Sequence, residues 1–126
     1  MIGQFVAVAF GAALGAVGRY LIDQFVQARS DSVLPWGTFT VNVVGSLVFG
    51  FLVAGTVVGA VPGLVFIVMG AGLCGSLTTF STFGFETLRL AESGARGYAL
   101  LNVGLTLLAG LGAALLGWIV ALALWG

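Results

Sequence analysis

The chain has 126 residues, 60% hydrophobic and 6% charged, and its four basic and four acidic side chains cancel to a net charge of zero. Soluble domains carry roughly 25% charged residues, so a chain with a mean hydropathy of +1.22 cannot coat a water-facing surface and must face lipid. The sequence has no His, no Lys and a single Cys, Cys74. That excludes a basic patch for nucleic acid, an intrachain disulfide, a Cys/His metal cluster and the commonest general base at neutral pH.

A span needs about 20 apolar residues at 1.5 Å rise to cross a hydrocarbon core of about 30 Å. Four segments qualify, at about residues 2–22, 37–59, 63–85 and 98–124, and together they make one domain over residues 1–126. Met1-Ile2-Gly3-Gln4 has no basic side chain and the apolar run outlasts a signal sequence, so the N-terminus reads as the first span. Arg19 lies near the end of that span, either as an anchor that snorkels to the headgroups or as a positive vestibule that concentrates anions. Asp23, Arg29 and Asp31 follow the first span, and Glu86, Arg89, Glu92 and Arg96 follow the third. Both basic connections fall on one side of the membrane, which the positive-inside rule assigns to the cytoplasm, with both termini outside. Pro35 and Pro62 stand at helix starts, where a missing N–H costs nothing. Tyr20, Trp36, Tyr98 and Trp125 lie near span ends, as an aromatic belt would.

The second span carries Gly37-Thr38-Phe39-Thr40-Val41-Asn42-Val43-Val44-Gly45-Ser46. An amide at this depth must find partners, so Asn42 is either interhelical glue or a pore lining. Asn102 and Thr106 form a similar pair one turn apart in the fourth span. Small residues recur four apart, as in Gly11 with Gly15, Ser46 with Gly50, and Thr106 with Gly110. Such spacing lets helix backbones approach closely in lipid.

The third span holds the densest chemistry: Gly70-Ala-Gly-Leu-Cys-Gly75-Ser-Leu-Thr-Thr-Phe80-Ser-Thr-Phe83-Gly84. Gly and Thr are poor helix formers, and two readings stand. One is a break near residues 75–79 that frees backbone carbonyls and N–H groups for ions, as in discontinuous transporter helices. The other is a continuous helix whose hydroxyls bond back to the preceding turn. Phe80 and Phe83 share a helical face, and an aromatic ring presents a positive edge that attracts a small anion. Neutral donors with no acidic residue at the midplane suit passage of an anion.

These motifs, with Gly11-Ala-Ala-Leu-Gly15-Ala-Val-Gly-Arg19-Tyr20, give the chain its resemblance to the Fluc (CrcB-type) fluoride channels of bacteria. The resemblance spans the whole chain and implies an all-α integral membrane fold of four helices. It also implies a third helix broken mid-membrane, an antiparallel dual-topology dimer and a bacterial inner-membrane location. It further implies a structural Na⁺ held at the dimer centre by the backbone carbonyls of Gly75 and Thr78. Asn42, Phe80, Phe83, Ser81 and Thr82 would line the fluoride path, Thr106 would contribute from the fourth span, and Arg19 would sit at a vestibule. Ser76 stands where many relatives have a second Gly, and the fourth span lacks a run of serines.

A fluoride channel would need no ATP or coupling ion. HF crosses membranes neutral and ionises in a more alkaline cytoplasm, and an inside-negative membrane then drives the anion out with about 2.3 kcal/mol per 100 mV. The rivals are a proton-coupled exporter like the small multidrug resistance family and a non-conducting membrane scaffold. The first needs a carboxylate within its first span, and Asp23 lies past the end of that span here. An enzyme is not expected, because residues for acid–base or metal chemistry are scarce.

Overall fold

A computed structural model describes residues 1–126 and is entirely helical. Helix α1 is Ile2–Gln27 and α2 is Trp36–Val57. Helix α3 covers residues 63–77, with one α-helical turn at Gly63–Phe66, a π-helical stretch at Ile67–Cys74 and a final turn at Gly75–Leu77. Thr78 and Thr79 are extended, after which α4, Phe80–Glu92, begins. Helix α5 is Arg96–Trp125. Counting α3 and α4 as one unit, four helices are long and apolar enough to cross a membrane.

Pro35 and Pro62 are the residues that immediately precede α2 and α3. Helix α1 outruns its apolar stretch by about a turn and a half, ending at Gln27 rather than near residue 22. Nothing from Asp23 to Gln27 breaks a helix, so it continues until Ser30-Asp31-Ser32 offers the backbone alternative partners. Tyr20 therefore lies inside α1, whereas Trp36 opens α2 and Trp125 ends α5.

The bundle pairs α1 chiefly with α3, and α2 chiefly with α5. Both pairings need bare backbone. A Cβ on Gly11 would come within 2.0 Å of the Val68 carbonyl oxygen, and one on Gly117 within 2.1 Å of the Leu47 carbonyl oxygen. The glycine spacing read from the sequence thus marks the contact lines, and the Ser46/Gly50 pair faces Gly110 and Ala114 of α5. Ser76 fastens the end of α3 to α1, its hydroxyl donating to the Ala12 carbonyl at 2.8 Å.

Many buried residues are small, such as Ala54, Cys74, Ala99 and Ala121, and Val41 is the largest side chain that is fully enclosed. Large side chains point outward, among them Phe5, Phe10, Leu108 and Leu111. Lipid permits this, since hydrocarbon tails are as apolar as Leu and helices associate by close packing rather than by the hydrophobic effect.

Candidate functional site

The site is built around the interruption between α3 and α4. The Thr79 N–H donates to Asn42 Oδ1 at 2.8 Å, and Asn42 Nδ2 donates to the Thr79 carbonyl at 3.1 Å. One carboxamide on α2 thus supplies both partners that a helix would have given Thr79, and a backbone unit that would otherwise be orphaned is satisfied. The Thr79 side chain then caps α4. Its Oγ1 accepts from the Thr82 N–H at 3.1 Å and donates to Thr82 Oγ1 at 3.1 Å, as a threonine N-cap does.

These bonds leave other groups free. The Gly75 carbonyl loses its helical donor, because the Thr79 N–H is turned to Asn42. The Thr78 carbonyl loses its donor as well, because the Thr82 N–H is turned to Thr79 Oγ1. Released neutral oxygens are the donor type that a hard cation takes, so the two residues fit a Na⁺ in chemistry. One chain offers two such oxygens, fewer than a hard cation usually collects. At the start of α4 the N–H groups of Phe80 and Ser81 have no helical acceptor, and the helix dipole there favours an anion.

A groove of about 540 Å³ runs along this face, bounded by α2, α3, α4 and α5. Asn42, Gly75, Thr78, Phe80, Phe83 and Thr106 all line it, so six of the nine residues singled out in the sequence meet in one place. Ser46, Phe49 and Gly110 extend it, and no charged side chain borders it. The Thr106 hydroxyl is buried with no hydrogen-bond partner. A hydroxyl in that position costs stability unless something accepts from it.

The two phenylalanines differ in exposure. Phe83 is 8% exposed and Phe80 81% exposed, with ring centroids 5.8 Å apart and planes tilted by 56°. The other three residues lie elsewhere. Thr82 and Arg19 line a second cavity of about 340 Å³, together with Tyr20, Asp23, Thr38 and Thr79. Ser81 is exposed, with its hydroxyl 3.3 Å from Thr79 Oγ1.

Two participants, Thr79 and Thr38, were not singled out as site residues from the sequence, and Asn102 had been paired there only with Thr106. Thr79 is the backbone that Asn42 holds. Its signal was the Thr79-Phe80-Ser81-Thr82 pattern, which places a second hydroxyl at the third position of a capped helix. Thr38 donates to Glu86 Oε1, tying α2 to α4. Asn102 Nδ2 donates to Thr87 Oγ1 at 2.8 Å, tying α5 to α4.

A family model described as "CrcB-like protein, Camphor Resistance (CrcB)" matches residues 6–118. The chain is 53% identical over 121 residues to "Fluoride-specific ion channel FluC 1" of Frankia casuarinae, covering 92% of this chain and 94% of that one. It is 50% identical over 115 residues to the protein of the same name from Streptomyces avermitilis, covering 91% and 93% of the two chains. A "Fluoride-specific ion channel FluC" of Methanocaldococcus jannaschii is 40% identical over 103 residues, covering 82% of each chain. Matches this extensive to both the family and its individual members establish that the chain belongs to the CrcB-like family.

Proposed function

We propose that this chain is a passive fluoride channel, a multi-pass membrane protein and not an enzyme, and that the groove beside the helix interruption is its ion path. The observation that carries this reading is the groove's lining. It is bordered by neutral groups alone, and one of them, the Thr106 hydroxyl, is buried without a partner. A small anion needs donors to replace its hydration shell, but a buried cation would trap it. Thr106 O–H, the second Asn42 N–H and the ring edges of Phe80 and Phe83 are donors of this kind. The names of the Frankia, Streptomyces and Methanocaldococcus relatives identify the anion as fluoride.

In the functional unit two copies pack antiparallel in the bacterial inner membrane, with the interruptions of α3–α4 at mid-membrane. The exposure of Phe80 supports this, since an 81% exposed ring beside polar groove residues is incomplete without a second surface. The freed Gly75 and Thr78 carbonyls of two copies would give four oxygens for a central Na⁺, whose part would be to hold the copies together. Arg19, in the cavity with Thr82, would form the vestibule that concentrates anions. Ser81 would add its hydroxyl where the path leaves the Phe pair.

The test is fluoride efflux from liposomes carrying the purified protein, under a voltage clamped with potassium and an ionophore. Fast fluoride efflux with chloride retained is expected, and fluoride retention would overturn the reading. The Na⁺ assignment is checked separately by dimer stability in sodium against N-methylglucamine salts. Equal stability in both would remove the ion.

A further inference from the structure

Helix α4 carries both phenylalanines, yet a single side-chain hydrogen bond joins it to α5: Asn102 Nδ2 to Thr87 Oγ1 at 2.8 Å. The Thr87 hydroxyl passes its own proton to the Phe83 carbonyl at 2.8 Å. A hydroxyl has one proton to give. With that proton committed to Phe83, the lone pairs of Thr87 are turned to Asn102 and its rotamer is locked. Asn102 is 3% exposed, so it holds this bond away from competing water. It also sits one turn before Thr106 on the same face of α5. Thr106 and Phe83 border the same groove.

We infer that Asn102 and Thr87 are positioning residues for Phe83, setting the register of α4 against α5 and hence the place of the Phe83 ring opposite the Thr106 hydroxyl. An amide serving as general glue could meet α4 anywhere along its length; this relay ends on the backbone of the pore phenylalanine itself. The inference rests on the reading of the groove as the fluoride path.

Its test compares fluoride efflux from liposomes loaded with equal amounts of wild type, Thr87→Val, Thr87→Ser, Asn102→Leu and the Thr87→Val/Asn102→Leu double variant. Each protein is first checked for a monodisperse peak on gel filtration. Thr87→Val keeps the shape and removes the hydroxyl, and should slow efflux about tenfold, the factor that one lost hydrogen bond supports. Asn102→Leu should match it, and the double variant should be no slower than either single, because all three break one relay. Thr87→Ser restores the hydroxyl and should conduct within about twofold of wild type. Wild-type efflux in Thr87→Val, or equal slowing in Thr87→Val and Thr87→Ser, would overturn the inference and leave the channel reading standing. Fluoride retention by the wild type itself would overturn both.

Discussion

The carboxamide of Asn42 holds both backbone groups of Thr79, accepting from its N–H at 2.8 Å and donating to its carbonyl at 3.1 Å. A side chain on α2 thereby does the work of two helical hydrogen bonds and allows the backbone to leave the helix where bare peptide groups would be costly. The same contact leaves one Asn42 N–H unused, on a side chain that borders the groove.

Asn42→Leu should therefore harm stability and conduction together. It orphans two backbone groups, each costing about 1–3 kcal/mol, and removes a donor from the groove. The expected result is a thermal midpoint in detergent lower by several degrees and fluoride efflux reduced at least about a hundredfold. Normal stability with normal flux would show that Thr79 finds other partners.

Thr106→Val should separate the two quantities. Removing a buried hydroxyl that has no protein partner relieves a desolvation cost, so stability should rise by up to about 1 kcal/mol. Efflux should fall, because the hydroxyl is available only to the passing anion. A loss of stability in a chemical melt would mean that the hydroxyl has a structural partner.

Phe80→Ile should abolish anion flux while leaving the proposed dimer intact, because the aliphatic side chain still fills the space against a second copy but has no ring edge. The ring is largely exposed in the single chain, so its removal opens no cavity in the bundle. Wild-type flux in this variant would take the Phe80/Phe83 pair out of the pore.

Gly117→Ala tests the fold independently of conduction. The added methyl would meet the Leu47 carbonyl at 2.1 Å and the Phe51 nitrogen at 2.8 Å, so α2 and α5 must separate. Overpacking of this kind costs about 1–3 kcal/mol, read as a lower melting temperature. Gly104→Ala, with nothing within 4 Å of its added methyl, is the control and should melt like wild type.

Much of this protein follows from its sequence alone. Hydrophobicity dictates four spans because lipid tolerates no other arrangement of 60% apolar residues with 6% charge. Glycines and adjacent threonines mark residues 75–79 as a weak stretch of helix, but local preferences left a break and a continuous helix equally open, and the structure decides for extended Thr78 and Thr79. Pro35 and Pro62 mark the helix starts for a local reason. Partnership is a different matter. Asn42 and Thr79 are 37 residues apart, and Asn102 and Thr87 sit on different helices. Whether each amide serves as glue or lining was open because helical periodicity places a residue on a face but does not say what that face meets. The helix approach settles it, through contacts such as Gly11 against Val68 and Gly117 against Leu47. Asn42 proves to be a backbone holder that also borders the groove, while Asn102 donates one N–H to Thr87 of α4. Thr82 looks into the cavity of Arg19 rather than into the groove of Phe80. Thr106 alone is left with a buried hydroxyl and no partner. Composition and local propensity act within a few residues and can be read along the chain. The satisfaction of a buried polar group depends on the azimuth and spacing of whole helices, which only their packing decides.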